Sequence, residues 1–176
     1  MTIRPSSTSV TATSWYVDIL DVLAEEGVRY LPHVPDKTIS KLLEEAASRE
    51  EFEPISLARE EEGVGVLAGV HLGGERGALL LQTSGMGNCL NAIGSLTAAQ
   101  RFPFLAVVTE RGGLAENVST QIPFGYALPQ ILRSMGVQCH EIDDPAVVSK
   151  ATRGAVTTAF VSRAPVVLLL TSFLTK

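Results

Sequence analysis

The sequence predicts an α/β fold: a single doubly wound, parallel sheet of about six strands with helices on both faces. Short apolar runs rich in Val, Leu and Ile alternate with segments of helical period. Continuous apolar strands are buried on both faces, which is typical of parallel sheets. The length of 176 residues, with 45% hydrophobic and 19% charged residues, fits one globular domain.

Capping and turn residues bound the predicted elements. Ser14 is a suitable N-cap and Gly27 a suitable C′ residue for the first helix, Asp144 with Pro145 begins the last one, and Pro32 ends the first strand. The predicted strands are 28–31, 53–57, 77–83, 104–109, 137–141 and 165–170. The predicted helices are 14–27, 60–72, 88–100, 129–135 and 144–163, with one more from about residue 36.

Composition and charge argue against several classes of protein. The net charge of −5 argues against a nucleic-acid-binding protein, which would carry a basic patch. No apolar run reaches the roughly 18 residues of a membrane span. Residues 1–13 are polar and lack the core of a signal peptide, so we expect a flexible tail followed by one domain over 14–176. Two cysteines, Cys89 and Cys139, and scattered histidines predict a reducing cytoplasm and no metal site.

Four predicted loops lie at the carboxyl ends of the strands: 33–36, 59–63, 83–88 and 111–121. Ligands of open α/β sheets bind beyond this edge. The convergence of these loops follows from the topology of any such sheet. It therefore predicts where a site lies without predicting its chemistry.

Three consecutive acids, Glu60, Glu61 and Glu62, begin a predicted helix whose next turns are rich in Gly and Ala. Acids in a first turn are stabilised by the helix macrodipole by about 0.3–1 kcal/mol, and periodicity alone favours this structural interpretation. The functional interpretation is that small residues permit close approach of another backbone or a flat ligand. An acid at such an interface can exchange a proton with a ring nitrogen.

The stretch Gln82-Thr-Ser-Gly-Met-Gly-Asn88 follows a predicted strand. It is either a flexible turn or a cradle in which backbone N–H groups and a helix N-terminus face a ligand. It lacks the lysine and the spacing of a P-loop. Ser84 does not lie in a nucleophile elbow, because Gln82 and Met86 stand where that motif requires glycines.

Four motifs extend this pattern: Val34-Pro-Asp36, Arg59-Glu-Glu-Glu-Gly-Val-Gly65, Gln82-Thr-Ser-Gly-Met-Gly-Asn88 and Gln121-Ile-Pro-Phe-Gly125. Together they resemble the pyrimidine-binding (PYR) domain of thiamine-diphosphate enzymes. Within that family the resemblance is to the sulfopyruvate decarboxylase α subunit and to phosphonopyruvate decarboxylase. It extends over residues 15–170, and the second and third motifs, about twenty residues apart, are its specific feature.

The resemblance implies a catalytic role for two acids. Glu61 matches the glutamate that hydrogen-bonds N1′ of the aminopyrimidine, and Asp36 matches an acid near the reacting carbon. As a helix N-cap, Asp36 also has an equally good structural role. The cofactor contacts that the resemblance implies are Glu61, Val34, Pro35, Ser84, Gly85, Met86 and Asn88.

The loop 111–121 supplies the candidate substrate contacts. Asn117 and Gln121 lie where the loop of the resembling enzymes reaches over the thiazolium ring. Arg111 is a candidate for an anionic substrate tail, such as a sulfonate or phosphonate, and is otherwise an ordinary surface arginine. Lys37 stands where the resembling decarboxylases commonly have a small hydroxyl residue.

The chain contains no Gly-Asp-Gly sequence, which this family uses on a second (PP) domain to hold the diphosphate and Mg²⁺. The resemblance therefore implies a partner β subunit that carries the motif and binds Mg²⁺, and self-association through small-residue helices near Gly65 and Gly69. The implied activity is that of the α subunit of a two-chain thiamine-diphosphate-dependent 2-oxo-acid decarboxylase, which releases CO₂ and an aldehyde. The alternative is a non-catalytic flavodoxin-like binding module or a regulatory subunit.

Overall fold

A parallel sheet forms the centre of the computed structural model, which describes residues 14–175. Its strands are β1 (Val28–His33), β2 (Glu53–Ser56), β3 (Arg76–Gly77), β4 (Leu79–Gln82), β5 (Phe104–Thr109), β6 (Gln138–Ile142) and β7 (Pro165–Leu170). They pair in parallel in the order β2-β1-β4-β5-β7-β6, and the two-residue β3 pairs with β1. The predicted fold class is confirmed.

Helices cover both faces of the sheet. They are α1 (Trp15–Glu25), α2 (Ser40–Ala47), α3 (Glu60–Leu72), α4 (Thr83–Ala92), α5 (Ile122–Ser134), α6 (Val148–Phe160) and α7 (Ser172–Thr175), and α4 continues as a π-helix, Ile93–Ala98. Successive strand residues point to opposite faces. Leu80 therefore joins the core formed with α1, α2 and α6, whereas Leu79 and Leu81 join the core formed with α3, α4 and α5.

The strand order reverses between β1 and β4. From β1 the chain passes through α2 to β2 on one side, and then through α3 to β4 on the other side. Such a switch point, at the carboxyl ends of the strands, is where open α/β sheets bind ligands. The segment after β1 and the first turn of α4 flank it directly.

Two strands differ most from the prediction in their extent, while β2 and β6 differ from it by one residue at one or both ends. β1 continues through Pro32 to His33, because the fixed φ of proline is compatible with extended backbone. The predicted strand 77–83 is divided into β3 and β4, which gives seven strands rather than six. β3 approaches β1 so closely that a Cβ at Gly77 would lie 2.7 Å from the carbonyl oxygen of Tyr30.

Two helices begin earlier than predicted. α4 begins at Thr83 rather than residue 88, and the side chain of Gln82 caps it. α5 begins at Ile122 rather than residue 129, so Pro129 lies inside it. Glycine and proline lower helix propensity. Close packing of the two helices outweighs this, since a Cβ at Gly87 would lie 2.8 Å from the ring of Phe124.

Within residues 14–175, no helix combines the length and apolar character that a membrane crossing requires. The predicted tail, residues 1–13, and the last residue, Lys176, lie outside the described residues.

Candidate active site

The three acids at the start of α3 have different contacts. Glu62 Oε2 accepts a hydrogen bond from the backbone N–H of Ala58 at 3.1 Å. Glu60 Oε2 accepts one from Asn88 Nδ2 at 2.8 Å, which ties α3 to α4. Glu61 Oε1 pairs with Arg59 Nε at 2.8 Å, and these side chains are 45% and 63% exposed. An exposed ion pair of this kind contributes about 0–1 kcal/mol, so Glu61 is the acid that is free to exchange its partner.

Glu61 lies on one face of α3 with Gly65, Gly69 and Leu72, which we call the α3 outer face. A Cβ added at Gly65 or Gly69 would meet nothing within 4 Å in this chain, and Leu72 is 76% exposed. Gly63 differs, because a Cβ there would lie 2.4 Å from Leu79 Cδ1 in the core. Packing within the chain therefore explains Gly63 but does not explain the small residues of the α3 outer face.

The glycine-containing motif after β4 forms the first turns of α4, so the interpretation as a flexible turn is wrong. The cradle at a helix N-terminus stays a prediction. Gln82 Oε1 accepts the N–H of Ser84 at 2.8 Å, as an N-cap. The side chain of Met86 is fully buried in the core, and a Cβ at Gly85 would lie 2.6 Å from Glu60 Cγ. The Met86 side chain is therefore not available to a ligand. The motif presents Ser84 and Asn88 instead.

Hydrogen bonds join the start of α4 to the loop 111–121. Ser84 Oγ donates to Gln121 Oε1. Thr83 Oγ1 donates to the carbonyl oxygen of Arg111 at 3.0 Å and accepts from its N–H at 3.1 Å. Two residues that the sequence assigned to separate roles, Ser84 for the cofactor and Gln121 for the substrate, are thus in contact.

Asp36 caps the short 3₁₀ helix Lys37–Ile39 that precedes α2. Its Oδ1 accepts the N–H of Thr38 at 2.8 Å and the hydroxyl of Thr38 at 2.6 Å. Thr38 Oγ1 lies 2.5 Å from Thr109 Oγ1 at the end of β5. The capping interpretation of Asp36 is confirmed, and its catalytic role stays a prediction. Val34 and Pro35 lie just before it, between β1 and the 3₁₀ helix.

Glu116 organises the loop 111–121, and sequence reasoning missed it. Its Oε2 pairs with Arg111 Nε at 3.0 Å, and its carboxylate also accepts the N–H groups of Gly112 and Val118. These bonds, that from Arg111 above all, lower the pKa of Glu116 to about 2. The same bond raises the pKa of Arg111. Arg111 is therefore engaged within the loop, whereas Asn117 is exposed. The available signal in the sequence was the spacing of Glu116 five positions after Arg111 in a glycine-containing loop, which permits an ion pair within the loop.

Both cysteines are free and buried. Burial raises the pKa of the Cys89 thiol to about 12, with a contribution from the nearby charges of Glu60 and Glu61. Burial likewise raises the pKa of Cys139 to about 11. These thiols are protonated at neutral pH and are poor nucleophiles or metal ligands. Among residues 14–175, no group of three His, Cys, Asp or Glu side chains is placed to hold a metal ion.

Comparison with known proteins gives concordant matches. Residues 16–123 match the family described as "Thiamine pyrophosphate enzyme, N-terminal TPP binding domain". Sulfopyruvate decarboxylase subunit alpha of Methanococcus maripaludis is 33% identical over 86% of this chain and 91% of its own length. The subunit alpha of Methanocaldococcus jannaschii is 30% identical over 86% and 89%. Phosphonopyruvate decarboxylase of Streptomyces viridochromogenes is 31% identical over 59% of this chain and 26% of its own.

A solved structure has the same fold. It is a 2-oxoglutarate:ferredoxin oxidoreductase from Magnetococcus marinus with 2-oxoglutarate, coenzyme A and succinyl-CoA bound. The TM-score is 0.75 at 15% sequence identity, over 93% of this chain and 29% of that chain. At this level of identity the match supports the α/β fold alone.

Proposed function

The chain belongs to the thiamine pyrophosphate enzyme family, whose N-terminal TPP binding domain it contains, and from this premise we propose that it binds the aminopyrimidine of the cofactor through Glu61. Its homologues are sulfopyruvate decarboxylase α subunits, so it is a subunit of a thiamine-diphosphate-dependent decarboxylase. We propose that the substrate is a small 2-oxo acid and that the products are CO₂ and an aldehyde.

The side chains at the start of α3 fit an aminopyrimidine ring. The Glu61 carboxylate faces outward and is held only by the exposed Arg59. Beyond it, Gly65 and Gly69 leave surface on which a Cβ would meet nothing within 4 Å. A planar ring or a second polypeptide can therefore approach the helix closely. An exposed, weakly paired carboxylate beside a helix surface without side chains is the single observation that carries the proposal.

Glu61 holds and transfers one proton at N1′ of the bound pyrimidine. The cofactor, when bound, supplies the carbon nucleophile and the electron sink that loss of CO₂ requires. Glu60 is bonded to Asn88 on α4 and Glu62 to the backbone N–H of Ala58, whereas the partner of Glu61 is the exposed side chain of Arg59, so Glu61 is the acid we assign to N1′. Ser84 and Gln121, already in contact, lie on the β4 side of the switch point, and Asp36 on the β1 side.

The diphosphate and Mg²⁺ are assigned to a partner chain. This chain contains no Gly-Asp-Gly sequence, and no cluster of metal-binding side chains occurs in the described part of it. We propose a β subunit that carries the motif, with the α3 outer face at a boundary between subunits. The same face serves for self-association. Two buried, unpaired cysteines suit the reducing cytoplasm, which is where we place the complex.

The decisive experiment reconstitutes the chain with a β subunit that carries Gly-Asp-Gly, in the presence of thiamine diphosphate and Mg²⁺, and measures CO₂ release from 3-sulfopyruvate. Glu61→Gln should lower turnover by at least about 100-fold, since general acid–base groups typically contribute 10²–10⁴-fold. The isolated chain should release no CO₂.

Glu62→Gln is the matched control, because an amide oxygen can still accept the Ala58 N–H bond. This variant should keep turnover within about threefold of the unmodified chain. Full turnover by Glu61→Gln would refute the mechanistic assignment. A complex that never releases CO₂, while the isolated chain binds a nucleotide tightly, would favour a binding module.

A further inference from the structure

A cavity of about 480 Å³ opens beside the candidate active site, on the side of the sheet that carries α1 and α2. The segment after β1 contributes Lys37 and Lys41 to its wall, and the loop 111–121 contributes Arg111 and Asn117. Its volume lies within the usual range of small-molecule sites, about 300–1,000 Å³. Two of the predicted substrate contacts, Arg111 and Asn117, line the cavity, and Lys37 of its wall directly follows Asp36.

The charges in this cavity are unequally satisfied. Glu116 is paired with Arg111 at 3.0 Å. Glu110 Oε2 accepts the N–H of Ser172 at 2.9 Å. Lys37 and Lys41 have no carboxylate within 4.0 Å in the part of the chain that the structure describes. Two lysines without a carboxylate partner therefore line a cavity in which both acids already have donors.

We infer that this cavity binds the tetrahedral anion at C3 of the substrate, with Lys37 and Lys41 as the residues that select it. The ligand class is a 2-oxo acid with a sulfonate or phosphonate tail, and the inference rests on the proposed function. It replaces Arg111 as the main contact for the tail, because the Arg111 guanidinium is engaged by Glu116, whereas the lysines lack such a partner.

The position of the lysines suits this role. Lys37 directly follows Asp36, and Lys41 lies one turn further along, in the first turn of α2. Two lysines one helical turn apart lie on the same side of this segment, so both ammonium groups can reach one anion. A lysine ammonium recognises a tetrahedral anion as a point charge and donates up to three hydrogen bonds.

The test compares three substrates of the reconstituted complex: 3-sulfopyruvate, 3-phosphonopyruvate and 2-oxobutanoate, whose tail is uncharged. In the double variant Lys37→Ala, Lys41→Ala, KM for the charged substrates should rise at least about tenfold, with kcat within about threefold, because charge-assisted hydrogen bonds are lost. KM for 2-oxobutanoate should stay unchanged. Lys37→Arg with Lys41→Arg should restore part of the preference.

Lys150→Ala, on α6 and outside the cavity, is the matched control and should change no KM. An equal KM change for charged and uncharged substrates, or no change, would overturn the inference while leaving the proposed function standing. Absence of CO₂ release from every 2-oxo acid would overturn the proposed function, and this inference with it.

Discussion

The α3 outer face and the loop 111–121 lie at the same edge of the sheet but differ in how far the chain satisfies its own groups. On the α3 outer face, Glu61 is held by the exposed Arg59. A Cβ added at Gly65 or Gly69 would have no atom of this chain within 4 Å. In the loop, Glu116 accepts three hydrogen bonds, and the backbone of Arg111 and Gly112 packs directly on that of Gly125 in α5.

This difference indicates which part of the site belongs to this chain alone. A loop with a closed set of internal bonds keeps its shape without a partner. A helix face of small residues and one weakly held acid gains contacts only when another molecule covers it. The candidate site thus combines a loop whose polar groups are satisfied within the chain with a helix face, the α3 outer face, whose groups are not.

The largest expected effect is loss of subunit assembly through the α3 outer face. Gly65→Leu should abolish assembly with the β subunit, because the α3 outer face would no longer allow close approach. The isolated chain should lose no stability, since Leu is a better helix former than Gly by up to about 1 kcal/mol and a Cβ at this position meets nothing within 4 Å. Sedimentation velocity of the mixed subunits measures the loss.

Gly154→Leu on α6 makes the same change at an exposed glycine on the opposite face of the sheet, where a Cβ also meets nothing. This control should assemble normally. A Gly65→Leu chain that is well folded and still assembles would show that the α3 outer face is not an interface.

The next largest effect is a loss of folding stability where the loop 111–121 packs on α5. Gly125→Ala would place a Cβ 1.9 Å from the carbonyl oxygen of Arg111 and 2.9 Å from the Cα of Gly112, which are both backbone atoms. The urea-unfolding free energy should fall by about 1–3 kcal/mol, as for other overpacked sites. Gly65→Ala, also in a helix, should instead raise it by about 0.5–1 kcal/mol. Equal changes in unfolding free energy for the two variants would contradict the difference between the loop 111–121 and the α3 outer face.

The smallest expected effect is a pH dependence of folding stability that arises from Glu116 in the loop 111–121. The pKa of Glu116, about 2 in the folded chain, lies below its ordinary value of 4.5 because Arg111 and two N–H groups bind the carboxylate. Its contribution to stability is therefore fully present above about pH 4.5 and is lost as pH falls towards 2. Glu116→Gln should melt at a lower temperature than the unmodified chain at pH 7, and the two melting temperatures should converge near pH 2. A difference independent of pH would contradict this role.

Long apolar strands and one helix were predictable from local pattern. The bounds of α3, β5 and β7 agree with the prediction because their signals, acids before a small-residue helix and unbroken apolar runs, do not depend on distant residues. Glu61 was singled out by the motif around it. The start of α4 was not predictable in this way. Its glycines, Gly85 and Gly87, leave room for the side chains of Glu60 and Phe124, which lie far away in the sequence.

The sequence by itself determined the order of strands and helices, the acid placed before the small-residue helix, and the absence of Gly-Asp-Gly. These follow from composition and local spacing. Only the tertiary structure decided that Glu60 is bonded to Asn88 and Glu62 to Ala58, while Glu61 pairs with the exposed Arg59. It also decided that Arg111 is engaged by Glu116 and that Lys37 and Lys41 line one cavity. The physical reason is that a charged group's role depends on which donors reach it, and folding brings those donors from distant segments.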